Sequence, residues 1–259
     1  MIYSAAWIMK TQSQKQSGVG SRSGGLNPTL LGLEALEKSE VVANACMNRE
    51  RNLAGANSYE KDLGFAPLDF LKERLQKQDE AAWLDLCCGT GHALIQAAEA
   101  FQTANLSLRV KLTGIDLVPM FDPIPPSLSC IRLVTASAER LKREEQFDLV
   151  TCVHGLHYIG DKLGLVQRAS SWLKDGGLFA AQLDYRNLRI EGQRSSGAQI
   201  GRDLRRAGFR YVPGRHLLIS SAQTSFHPLP YRYLGADDQA GVNYTGQGAV
   251  NSYYERTPF

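Results

Sequence analysis

Trp83-Leu84-Asp85-Leu86-Cys87-Cys88-Gly89-Thr90-Gly91-His92-Ala93-Leu94 is the stretch that decides the fold of this chain. An apolar run carrying one acid meets a Gly-x-Gly turn, and an Ala- and Leu-rich segment of helical character follows at once. The order is strand, tight turn, helix. Gly89 and Gly91 let the backbone bend sharply, take positive φ and approach a ligand, while the first amides of the helix point into the same crevice. A plain strand-to-helix corner also needs glycine, so the turn alone leaves both a binding loop and a structural corner open.

Downstream the alternation continues. Strands are expected at 82–87, 109–115, 131–135, 147–153 and 178–184, with helices at 91–101 and 162–173. Strands joined by helices or helix-sized connections imply a parallel sheet with right-handed crossovers and both faces covered. A ligand belongs at the carboxyl ends of those strands, where the strand order reverses. After Asp184 the pattern changes. A helix is expected at 197–207, extended chain at 209–212 and, past Pro213-Gly214, at 216–220. Leu229 to Leu234 reads as a further strand, antiparallel because the loop before it is too short for a helical crossover.

Upstream, residues 1–26 read as a disordered leader, since the tract from Lys10 is too polar and glycine-rich to offset the entropy of ordering it. Residues 27–80 read as a helical cap. Asn27-Pro28 resembles a helix start, with apolar residues recurring to an end near Gly55; further starts follow at Asn57-Ser58-Tyr59-Glu60 and at Pro67. The polar run Met47 to Asn52 is either a solvated helix face or a lid, in which Arg49 or Arg51 meets an anionic group and Tyr59 overhangs the pocket. The core is placed at 81–235 and a Tyr-rich tail at 236–259.

A 43% hydrophobic and 21% charged composition describes an ordinary globular protein. The net charge of +3, spread over interspersed acids and bases, implies no DNA or membrane-surface partner. The five cysteines lack a C-x-x-C pair, which argues against a structural metal site and for a reducing compartment. The apolar residues Met1 to Met9 have neither a basic region before them nor a small-residue cleavage site after them, and no stretch is long enough to span a membrane; a cytoplasmic location is expected.

Two ligands compete for the glycine turn. A dinucleotide fingerprint asks for a third small residue where this chain has Leu94, and it gives no role to Asp85, which would repel a pyrophosphate. The ammonium and sulfonium of S-adenosylmethionine would instead be drawn to that acid. The chain resembles the class I S-adenosylmethionine-dependent methyltransferases over about residues 57–234, through several motifs in order. Asp85 to Gly91 is similar to the family's first motif, and Gly114-Ile115-Asp116-Leu117, with Asp116 placed 25 residues after Gly91, to the strand end whose acid takes the ribose hydroxyls. Ala136-Ser137-Ala138-Glu139 resembles the segment that runs past the adenine. Many members carry aspartate where this chain has Ser137, whose hydroxyl accepts a bond more weakly. Phe147 to Tyr158 and Trp172 to Leu178 are similar to the fourth strand with its following loop and to the turn into the fifth strand.

The resemblance implies an α/β fold: a doubly wound, mainly parallel seven-stranded sheet with an antiparallel strand near the C-terminus, beside the helical cap. It implies S-adenosyl-L-methionine as cofactor, held by Asp85, Cys87, Gly89, Gly91, Asp116, Leu117, Ser137, Ala138, Cys152 and Val153. Methyl transfer is an in-line displacement that positioning and water exclusion can drive, and a base is needed only if the acceptor must lose a proton. His154 and His157, on the loop facing the methyl group, are the candidate catalytic residues; His157 also fits a packing role. No third ligand accompanies them, so no metal is expected. Arg49, Tyr59, Tyr158 and Tyr244 are candidate acceptor contacts, and Tyr231 and Tyr233 either line the pocket or pack. The expected acceptor is a small molecule. The alternatives are methylation of a protein or RNA group, or a protein that binds the cofactor without turnover.

Overall fold

Three helices precede the first strand in the computed structural model, which describes residues 29–43, 50–142, 144–222 and 227–258. They are α1 (Leu33–Glu37), α2 (Tyr59–Leu63) and α3 (Pro67–Leu75). Then come β1 (Ala81–Leu86), α4 (His92–Thr103), β2 (Val110–Asp116), β3 (Ile131–Thr135), β4 (Phe147–Cys152), α5 (Lys162–Ser171) and β5 (Leu173–Gln182). The chain continues through β6 (Leu188–Ile190), α6 (Gly197–Arg206), β7 (Arg210–Val212), β8 (Leu217–Ser221), β9 (Tyr231–Asp237) and β10 (Asn251–Arg256). None of the described helices is long and apolar enough to cross a membrane.

Seven strands form one sheet in the order β3-β2-β1-β4-β5-β8-β7. The first five are mutually parallel, and β8 runs antiparallel to both β5 and β7. β1 and β4 are buried along their whole lengths, as central strands covered on two faces must be. One face packs on α3 and α4, where Leu71, Leu94, Ala97 and Phe101 meet Trp83 and Leu112. The other packs on α5 and α6 through Leu163, Val166, Ile200 and Leu204. The strand order reverses between β1 and β4, and the ligand crevice opens there.

Some expectations need correction. The strand expected at Leu229 to Leu234 exists as β9 and has an antiparallel neighbour, β10, but the antiparallel strand of the main sheet is β8, because the short Pro213-Gly214 connection turns the chain straight back along β7. Tyr231–Asp237 leaves the main sheet for a second one, ordered β6-β10-β9, in which β10 pairs parallel with β6 and antiparallel with β9. The boundary drawn at 235 therefore falls inside β9, and the tyrosine-rich tail contributes a strand. The helical reading up to Gly55 also fails within the described residues. After α1 the chain turns, and residues 50–58 form a loop held by the Asn52–Ser58 bridge and by Arg51, whose Nη1 donates to Asn57 Oδ1 at 2.8 Å. The short polar side chains here compete for backbone bonding and disfavour helix. The leader, Asn27-Pro28 and Arg49 lie outside the described residues.

Lys162 ties the start of α5 to β10 of the second sheet. Its buried Nζ donates to the carbonyls of Ile159 at 2.8 Å and Val250 at 2.7 Å and to Ser252 Oγ at 2.9 Å. Burial pushes its pKa down to about 7, against the pull of Glu139 and Asp237. Between about pH 7 and pH 10 the unfolded chain therefore binds a proton that the folded chain does not, so folding stability rises with pH in that window. Urea midpoints measured at pH 7 and pH 9 are expected to show a gain on the order of 2 kcal/mol that Lys162→Met lacks. Equal pH slopes for the two proteins would contradict this.

Candidate functional site

The turn after β1 is built from strained backbone. Cys87, Gly89 and Gly91 all have positive φ, at 58°, 61° and 78°. A Cβ on Gly91 would lie 2.5 Å from Leu133, so only glycine lets α4 start this close to β3. The Cys87 thiol faces that of Cys152; this neighbour, with burial, pushes its pKa well above the usual thiol range and keeps it protonated. Gly155 closes the β4 loop onto this turn, since a Cβ there would meet Cys87 Cβ at 2.4 Å and Cys152 Sγ at 2.7 Å.

Asp85 is buried at the end of β1 and clamped from two sides. Tyr59 donates its hydroxyl to Oδ2 at 2.6 Å, and Thr151 donates to Oδ1 at 2.5 Å. Thr151 stands beside Asp85 in the β1–β4 register and accepts the Trp83 indole N–H at 2.7 Å. Burial raises the Asp85 pKa to about 7, more than these two hydrogen bonds lower it. Asp85 does not line the cavity itself; Tyr59 covers it and forms the wall.

Asp116 ends β2, 5% exposed. Its Oδ2 accepts from the Gly89 N–H at 2.9 Å and its Oδ1 from Val118 N–H at 3.0 Å. These two bonds fix the carboxylate at the point where two cavities meet. The larger, about 180 Å³, is lined by Arg51, Tyr59, Gly89, Val153, His154 and Gln247 among others. The smaller, about 50 Å³, lies between Leu117, Ser137, Ala138 and Ile159. Cys87, Asp116 and Tyr158 border both.

On the β4 side His154, with φ 58°, presents its ring to the larger cavity. Its Nε2 lies 3.2 Å from Asp62 Oδ2, an ion-pair distance that is off-line for a hydrogen bond, and its Nδ1 lies 3.3 Å from the Tyr244 hydroxyl. Gln182 braces the pair, accepting from the His154 N–H at 3.2 Å and donating to the Asp62 carbonyl at 3.1 Å. Burial raises the Asp62 pKa, but His154 and Arg51, whose Nη1 is 2.7 Å away, outweigh it and hold the carboxyl below its ordinary value. His157 sits behind His154, 1% exposed; burial, with the neighbouring His154, lowers its pKa to about 3. It is neutral at neutral pH, packs edge-on to Tyr244, and does not border the cavity.

The structure thus brings Cys87, Gly89, Asp116, Val153, His154, Tyr59 and Tyr158 to one crevice, and Leu117, Ser137 and Ala138 to its smaller chamber. Gly91 and Cys152 support the walls from behind. Tyr244 stacks on His216 with ring centroids 4.0 Å apart, and its neighbours Thr245 and Gln247 line the larger cavity. Tyr231 donates to Asp203 at 2.7 Å, and Tyr233 packs on Tyr254, so neither borders either cavity. The sequence gives no sign of Asp62 or Gln182, and for Thr151 the one signal is a polar residue in the otherwise apolar run Phe147–Cys152, which it shares with Asp148. Among the described residues no three His, Cys, Asp or Glu side chains converge as metal ligands.

This arrangement suits a ligand with a cationic end near Tyr59 and Asp85, a diol at Asp116 and a flat apolar group in the smaller chamber. Residues 59–224 match the family model described as a methyltransferase domain. Over 120 residues the chain is 29% identical to (S)-coclaurine N-methyltransferase of Papaver somniferum, a match covering 44% of this chain and 32% of that protein. The chain therefore spans about a third of that relative's length. Among solved structures it is similar to coclaurine N-methyltransferase bound to N-methylheliamine and SAH (18% identity, 60% of this chain and 45% of that one, TM-score 0.37). Another is the plantazolicin methyltransferase BpumL with a pentazolic desmethylPZN analog and SAH (14% identity, 44% and 43%, TM-score 0.36).

Proposed function

Because the chain belongs to the methyltransferase-domain family, we propose that it transfers a methyl group from S-adenosylmethionine to a small-molecule acceptor. The observation that favours a small acceptor is the cavity of about 180 Å³ beside the Gly89 turn, whose lining includes Arg51, Thr245 and Gln247. The likeness to (S)-coclaurine N-methyltransferase supports the same reading.

The cofactor supplies an electrophilic methyl group on a sulfonium when bound. The residues of this chain supply placement: Asp116 and the Gly89 turn orient it, Asp85 gives the field that favours its ammonium, and the rings of Tyr59 and Tyr158 displace water from its flanks. His154 is the one imidazole bordering the cavity among the described residues, and its Nε2 lies 3.2 Å from Asp62 Oδ2. It takes the proton when the acceptor is a hydroxyl. His154→Ala is then expected to lower turnover on a hydroxyl acceptor about 100-fold while changing SAH affinity less than about threefold. Calorimetry and single-turnover assays separate the two effects.

Incubating the protein with methyl-labelled cofactor and a cell extract, then locating the label by mass spectrometry, tests the acceptor class. Label in a low-mass product supports it. Label confined to protein or RNA overturns it.

A further inference from the structure

We propose that Glu37, on α1, is the residue that reads the adenine amino group of the cofactor; this rests on the methyltransferase reading above. Glu37 lies outside the stretch matched by the family model. It borders the smaller chamber together with Leu117 and Ala138, with its side chain only 16% exposed.

The assignment follows from how the polar groups of that chamber are already engaged. Three carboxylates border it: Asp116, Glu139 and Glu37. Asp116 is held by two backbone amides. Glu139 is held the same way, its two oxygens accepting from Gly160 N–H at 2.7 Å and Asp161 N–H at 2.9 Å, so it fastens the β4 loop. Ser137 Oγ accepts from the Arg140 N–H at 3.4 Å and closes its own turn. Glu37 differs: Oε2 meets Arg140 Nη2 at 3.1 Å, and Oε1 accepts no hydrogen bond among the described residues. An exocyclic amine offers two N–H donors and no charge, and a partly desolvated carboxylate oxygen is its strongest neutral-donor partner. The Arg140 contact anchors the Glu37 carboxyl group at the edge of the chamber. The contact also makes α1 part of the binding site, so the segment before the family domain takes part in cofactor selection.

Calorimetry with SAH and with S-inosylhomocysteine, in which a carbonyl replaces the amino group, tests this. The unaltered protein is expected to prefer SAH by at least about tenfold. Glu37→Ala should weaken SAH about tenfold, leave the inosyl analogue unchanged or tighter, and bring the ratio near one; its thermal midpoint reports that the fold persists. Glu37→Gln, whose amide can turn to serve either base, should also bring the ratio near one. An unchanged preference in Glu37→Ala, or a preference abolished by Ser137→Ala alone, would overturn the assignment to Glu37 and leave the cofactor reading standing. Failure of the unaltered protein to bind either ligand would overturn the cofactor reading, and this inference with it.

Discussion

Asp116→Ala is expected to weaken SAH binding by about 100-fold or more while leaving the circular dichroism spectrum unchanged. Asp116 is 5% exposed, is aligned by the Gly89 and Val118 amides and borders both chambers, so a ribose there meets a carboxylate already held in place. Two hydrogen bonds from a ribose diol to a charged acceptor contribute roughly 1.5–3 kcal/mol each, enough for that loss. Removing the side chain also unfastens the Gly89 turn from β2. Calorimetry is the measurement, and affinity within about fivefold of the unaltered protein would exclude Asp116 as the ribose contact.

The second large effect is a pH dependence. With a pKa of about 7, Asp85 is mostly protonated at pH 6 and mostly ionised at pH 8. The ammonium of SAH favours the ionised form, so affinity should rise about tenfold across that range, with proton release below pH 7. 5′-Methylthioadenosine, which lacks the amino-acid end, should show no such slope and serves as the internal control. Folding stability moves the other way. A carboxyl whose folded pKa lies above its unfolded value of about 3.8 stabilises the fold fully below that value and loses this as pH rises through about 7. The full span is on the order of 4 kcal/mol. Asp85→Asn should therefore melt higher than the unaltered protein at pH 8 while binding SAH poorly. A lower melting temperature at pH 8 would contradict the burial argument.

Most of the sheet and one wall of the site were legible in the sequence because they depend on local order. Asp85, Gly89 and Gly91 sit within one strand-turn-helix unit, and Asp116 closes the next, so spacing alone places them together. The partners that tune them are not local. Thr151 reaches Asp85 only through strand register across β1 and β4, and Asp62 meets His154 because α2 folds over the end of the sheet. The second sheet was illegible for a related reason. β6 and β10 are far apart in the chain and pair in parallel, with no turn between them to announce the contact. His157 read as a possible base because its sequence neighbours are those of a loop; its burial, which disfavours that chemistry, involves Tyr244 packing on its ring and Val250 bonding to its backbone, both far off in the chain.

Tyr158, Cys87 and Asp116 form a party wall between a large chamber and a small one. A ligand that spans both is held as two fragments joined by a short tether, and binding of the first raises the effective concentration of the second. The nucleoside end can dock in the small chamber while the amino-acid end still samples solvent. Tight binding can then arise from connectivity between two individually weak fits, and cutting the ligand at the sugar should cost far more affinity than either piece retains alone.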